Sequence, residues 1–127
     1  MKILLVDDEV EFVSALAERL SLRGIDVQWV SRPKEALAKV ADESFDLAVL
    51  DVKMPGQSGF ELKRQLQEKY PSMKFIFLTG HGSEEDYRAG TAQAGEEYYL
   101  LKPVKLEELM KKIAAVFSAH KMETTNG

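Results

Sequence analysis

Cysteine is absent from the 127-residue chain, which excludes a disulfide framework and any thiolate metal site. Long hydrophobic runs are absent too. The N-terminal run Met1-Lys2-Ile3-Leu4-Leu5-Val6 meets Asp7-Asp8-Glu9 well before it could form a signal-peptide core or a membrane span. No membrane contact is expected, and a cytoplasmic location is the default expectation. Nor does any block of Lys or Arg stand out: 17 basic against 21 acidic residues leave a formal net charge of −4. Binding a phosphate backbone needs a basic stripe, so direct contact with nucleic acid is not expected. The composition, 45% hydrophobic and 30% charged, is that of one globular domain with a buried core.

Five short apolar runs recur: Ile3 to Val6, Ile25 to Val30, Leu47 to Leu50, Phe75 to Leu78, and Tyr98 to Leu101. Four are continuous, as in parallel strands covered on both faces. The second alternates, with Ile25, Val27 and Trp29 set against Asp26 and Gln28, and reads as an edge strand.

Helical spacing fills the intervals. Val10, Val13, Ala17 and Leu20 form a stripe that Gly24 closes. A second helix spans about Pro33 to Ala41. Ser58 and Glu61 make a capping box ahead of Phe60, Leu62 and Leu66, with Pro71 beyond. Ser83 and Asp86 open a fourth helical stretch, weakened by Gly90 and by small apolar residues at Ala89, Ala92 and Ala94. Leu106, Leu109, Met110, Ile113 and Phe117 line the last. The order is βα five times, which implies right-handed crossovers and a parallel sheet with helices on both sides. Trp29 and Phe45 read as edge or core packing.

Ligands of such sheets bind at the carboxyl ends of the strands. There the chain places Asp7 and Asp8 after the first strand, Asp51 after the third, Thr79-Gly80 after the fourth and Lys102-Pro103 after the fifth. Each has a bland explanation alone: Asp8 as a helix cap, Thr79 as a loop hydroxyl, Lys102 as an exposed lysine. Their coincidence favours a site. Three carboxylates repel one another unless a cation joins them. Mg²⁺ suits hard oxygen ligands, and a nearby ammonium completes an arrangement apt for phosphoryl transfer.

The motifs LLVDDE, LDVKMPGQSG, LTGHG and LLKPV, with the aromatic Tyr99, resemble those of the receiver domains of two-component response regulators, over about Met1 to Ala119. The resemblance implies an α/β, flavodoxin-like (βα)5 fold of the CheY-like kind, a doubly wound five-stranded parallel sheet in the order 2-1-3-4-5. Residues 120–127 are then expected as a polar, flexible tail, and the chain is either a single-domain regulator or a receiver cut from a longer protein. Asp51 is the implied acceptor of a phosphoryl group from a sensor histidine kinase or phosphotransfer protein. Asp8 and Asp51 would hold Mg²⁺ directly, Asp7 through water, and Lys53 by its backbone carbonyl. Lys102 and Thr79 would meet phosphoryl oxygens, and Gly80 would leave them room. Tyr99 would turn with Thr79, coupling the site to the face of the fourth helix, fifth strand and fifth helix, where a downstream effector reads it. The Lys102-Pro103 bond is expected to be cis.

The resemblance implies a regulatory phosphoacceptor and not an enzyme, its chemistry limited to its own phosphorylation and dephosphorylation. Three rivals fit less well. An aspartate-nucleophile phosphatase of the haloacid-dehalogenase kind carries D-x-D on one strand, whereas Asp7 and Asp8 are adjacent. A pseudo-receiver usually loses the acceptor or the lysine, and a flavin binder needs a phosphate loop after the first strand. One departure and two ambiguous residues stand out. Lys105 falls where the fifth helix needs a cap and cannot accept a backbone N–H bond. Lys53 and His81, two residues past Asp51 and Thr79, occupy places that vary among receivers and either tune water access or are ordinary loop residues.

Overall fold

Strand residues send alternate side chains to opposite faces of a sheet, so a continuous apolar run demands a cover on each. The computed structural model meets that demand. It describes residues 1–80 and 98–126, with side chains through residue 118. The order is β1 (Lys2–Val6), α1 (Val10–Leu22), β2 (Asp26–Val30), α2 (Pro33–Asp42), β3 (Leu47–Asp51), α3 (Gly59–Lys69), β4 (Lys74–Thr79), β5 (Tyr99–Leu101) and the C-terminal helix α4 (Leu106–Asn126). Here α4 is the fifth helical stretch of the sequence. The fourth, from Ser83 to Ala94, lies outside the described residues, as does His81.

All strand pairs are parallel, in the order β2-β1-β3-β4-β5. Ile3, Leu5, Val49 and Ile76 pack with the buried faces of α1 and α4. Leu4, Val6, Leu50 and Phe77 pack with those of α2 and α3. A fully buried leucine such as Leu4 or Leu62 contributes about 1.5–3 kcal/mol. β2 lies at the edge, but its burial does not follow the alternation of the sequence: Asp26 and Trp29 are exposed while Val27, Gln28 and Val30 are half-buried. Phe45 is buried in the core.

Local signals act as their chemistry requires. Gly24, at φ +81°, closes α1 in a Schellman turn, its N–H donating to the Ser21 carbonyl and that of Ile25 to the Leu20 carbonyl. The Glu61 N–H donates to Ser58 Oγ at 3.2 Å, capping α3. Lys105 does precede α4, and its carbonyl accepts the first helical bond from Leu109. The helix continues to Asn126, past the expected domain end at residue 119. The Lys102-Pro103 peptide is cis. Among the described residues, no helix is long and apolar enough to cross a membrane.

Candidate functional site

The carboxyl ends of β1, β3, β4 and β5 converge, and strand parity sorts what they carry. Leu5, Val49 and Leu100 face α1 and α4; two residues on, Asp7, Asp51 and Lys102 fall on that same side. Thr79 follows Phe77 by two positions and so takes the opposite side, the one that Tyr99 occupies as the register partner of Phe77. Asp51 and Thr79 are the final residues of their strands rather than the first of the loops. The ladder runs slightly past them, with Val52 N–H donating to the Leu78 carbonyl and Lys102 N–H to the Thr79 carbonyl.

Asp8 does not cap α1. That position belongs to Glu9, which makes no side-chain cap bond. Asp8 is left exposed at the rim, and its carboxylate joins those of Asp7 and Asp51 in a cluster whose oxygens lie within 4.8 Å of one another. Asp7 is 1% exposed and Asp51 5%. Burial and the charges of Asp7 and Asp8 push the Asp51 carboxyl up to about 7, against the pull of Lys102. Burial also raises Asp7, outweighing its bonds from Lys102 and from the Glu9 N–H. Such a cluster of hard oxygen donors could hold a divalent metal. Lys53 is an exposed residue of the loop after β3, two positions past Asp51.

Lys102 brings an ammonium to Asp7, Glu9 and Asp51. Its Nζ lies 2.7 Å from Asp7 Oδ2 and 2.7 Å from Glu9 Oε1, but 3.7 Å from Asp51 Oδ1. Burial works against the charge, yet the bonds to Asp7 and Glu9 prevail and hold its pKa above the usual value. The Phe12 ring lies under the same nitrogen, 4.8 Å to the centroid, a cation–π contact. Neither Glu9 nor Phe12 was among the expected site residues. The signal for Glu9 was its place in Asp7-Asp8-Glu9, and Phe12 lies three positions on, on the same helical face.

Thr79 is fully buried, and its Oγ1 has no hydrogen-bond partner among the described residues. Tyr99 is buried against Phe77, ring centroids 5.2 Å apart, and Phe60 lies 6.3 Å away. An unpaired buried hydroxyl costs about 1–3 kcal/mol. Thr79→Val, of the same shape, is therefore expected to stabilise the protein by about 1 kcal/mol in urea unfolding. A loss of stability instead would mean that the hydroxyl has a partner.

This is an α/β sheet with an acidic cluster and an opposed ammonium at its ligand-binding end. The chain belongs to the response regulator receiver domain family, whose sequence model matches residues 3–114. It is 38% identical over 116 residues to the two-component response regulator PhoP of Pseudomonas aeruginosa, covering 91% of this chain and 51% of that protein. The chain spans about half the length of the curated relatives it matches. A receiver domain protein (CheY-like) of Methanospirillum hungatei superposes with a TM-score of 0.82 at 33% identity, covering 96% of this chain and 97% of that one. The response regulator TrrA of Thermotoga maritima, solved in complex with Mg²⁺-BeF, gives 0.76 at 31% identity, covering 91% and 97%. The fold is that of the CheY-like receivers, as the resemblance implied.

Proposed function

We propose that the chain is the phosphoacceptor switch of a two-component phosphorelay, with Asp51 as acceptor. The observation that carries this reading is the setting of Asp51: a buried carboxylate at a strand end, beside two further acids and within 3.7 Å of an ammonium. Its donor is a phosphohistidine of a sensor histidine kinase or phosphotransfer protein. An Asp51 oxygen forms the new O–P bond as the donor's N–P bond breaks, and the released imidazole takes up a proton. Lys102 then pairs with a phosphoryl oxygen, and Thr79 donates its hydroxyl, which has no partner among the described residues, to another.

Mg²⁺ fits the oxygen donors gathered here. Asp8 and Asp51 would hold it directly, Asp7 through water, and the Lys53 carbonyl as a further ligand. When bound, the ion neutralises clustered charge and orients phosphoryl oxygens. That a relative of the same fold was solved with Mg²⁺-BeF supports the choice. Tyr99 would move with Thr79 and so alter the face made by the fourth helical stretch, β5 and α4, where an effector domain or protein reads the state. No turnover of free phosphoesters is proposed.

The test is labelling by acetyl phosphate. With Mg²⁺ the protein should gain one acid-labile, hydroxylamine-sensitive phosphoryl group, and Asp51→Asn should gain none. Labelling that persists in this variant would end the proposal.

The metal has its own check. Mg²⁺ at saturation should stabilise the fold by about 1–3 kcal/mol through RT ln(1 + [L]/Kd). Asp8→Ala should lose most of that response in thermal melts. Equal Mg²⁺-dependent shifts in both proteins would show that Asp8 is not a ligand.

A further inference from the structure

Lys102 stands nearer to Glu9 than to the residue it is meant to serve. An ammonium has three donors. Here Glu9 takes one as a hydrogen bond at 2.7 Å and Asp7 Oδ2 forms an ion pair at 2.7 Å, leaving Asp51 at 3.7 Å, beyond hydrogen-bond reach. The two close partners differ in kind. Asp7 is buried, and its other oxygen is fixed by the Glu9 N–H at 2.9 Å, so it anchors the lysine. The Glu9 side chain is 62% exposed while that of Lys102 is 12% exposed. The Glu9 carboxylate can therefore leave for water at little cost. A cleft of about 460 Å³, lined by Glu9, Phe12, Arg19, Lys102 and Pro103, gives it room to do so. Phe12 backs the same ammonium.

We infer that Glu9 is a positioning residue: it holds Lys102 off Asp51 in the resting protein and must yield it before Lys102 can meet an incoming phosphoryl group. This deepens the proposed function and rests on it. The restraint is one ion pair with an exposed partner, so its effect on rate or affinity should be about two- to fivefold. Glu9→Gln removes the charge, and Glu9 supplies no side-chain cap to α1, so the variant should fold.

The experiment measures two quantities in the full chain: the saturating rate of labelling by acetyl phosphate, and the affinity for beryllofluoride with Mg²⁺. Glu9→Gln should raise both by about two- to fivefold. Glu11→Gln, an equal change in net charge on an exposed residue of the first turn of α1, should raise neither. In a Lys102→Ala background the effect of Glu9→Gln on both should vanish, which loss of an acid from a repulsive cluster would not do. Equal responses to Glu9→Gln and Glu11→Gln would reduce the effect to net charge and overturn the inference. A gain that survives Lys102→Ala would overturn it as well. If Glu9→Gln changed nothing while Asp51→Asn still abolished labelling, the restraint would be refuted and the acceptor reading kept. Labelling that survived Asp51→Asn would refute that reading itself.

Discussion

Asp51→Asn is expected to abolish phosphoryl labelling and, in the same protein without metal, to raise the melting temperature by on the order of 10 °C. The second effect follows from the electrostatics of the cluster. Asp51 is held near 7 rather than near its ordinary 3.8 because burial and the neighbouring charges of Asp7 and Asp8 penalise its ionised form. Between those two values the folded protein binds more protons than the unfolded chain, so stability falls as the pH rises through that window. Below about pH 4 the carboxyl is protonated in both states and carries no penalty. Above about pH 7 it is ionised in both, and the full cost applies. That cost reaches about 4 kcal/mol. The exposed Asp8 at the rim lets water relieve part of it, leaving about 2–4 kcal/mol. Asn keeps the shape and removes the charge. The stabilisation should therefore be largest at pH 8, shrink through pH 6 and disappear near pH 4. Urea unfolding of both proteins in EDTA across that range checks it. A difference that did not depend on pH would mean that repulsion at Asp51 is not the cause.

The same electrostatics explain how far the site could be read from the sequence. Asp7, Asp8, Asp51, Thr79 and Lys102 were visible because each follows an apolar run, and a parallel sheet brings the carboxyl ends of such runs together. The place of β2 at the edge was visible because Asp26 and Gln28 interrupt it. What spacing could not reveal was allegiance within the cluster. That Lys102 pairs with Asp7 and Glu9 before Asp51 is a matter of an ångström. So is the seat of Phe12 beneath it. That Thr79 Oγ1 has no partner among the described residues is likewise a property of packing, since nothing in LTGHG distinguishes a satisfied hydroxyl from an orphaned one. Gly59 escaped for a similar reason. In the run Pro55-Gly56-Gln57-Ser58-Gly59 two glycines look alike as turn formers, yet only Gly56 has a positive φ, at +86°.

Gly59 is needed for closeness, and Gly59→Ala should therefore damage both the fold and the acceptor. It is the first residue of α3, directly after the cap Ser58, and its N–H donates to the Val52 carbonyl at 2.9 Å. A methyl group there would collide with the Asp51 carbonyl oxygen and lie 3.2 Å from Val52 Cα. Both obstacles are backbone, so no side-chain rotation relieves them. Either α3 backs away, losing the bond to Val52, or the end of β3 shifts and carries Asp51 with it. Overpacking of this kind costs about 1–3 kcal/mol, and a lost hydrogen bond adds about 1 kcal/mol. Displacement of the acceptor acts on rate far more strongly, because an error of about 1 Å in a reacting group can cost 10²-fold. The expected result is a melting temperature lower by on the order of 10 °C and acetyl phosphate labelling slowed at least tenfold at a temperature where the variant remains folded. Gly56→Ala serves as the control. Nothing lies within 4 Å of its added methyl group, so it should cost about 1 kcal/mol through its positive φ alone and label at close to the wild-type rate. Were Gly59→Ala to label as fast as Gly56→Ala, the seating of α3 against β3 would have no part in placing Asp51.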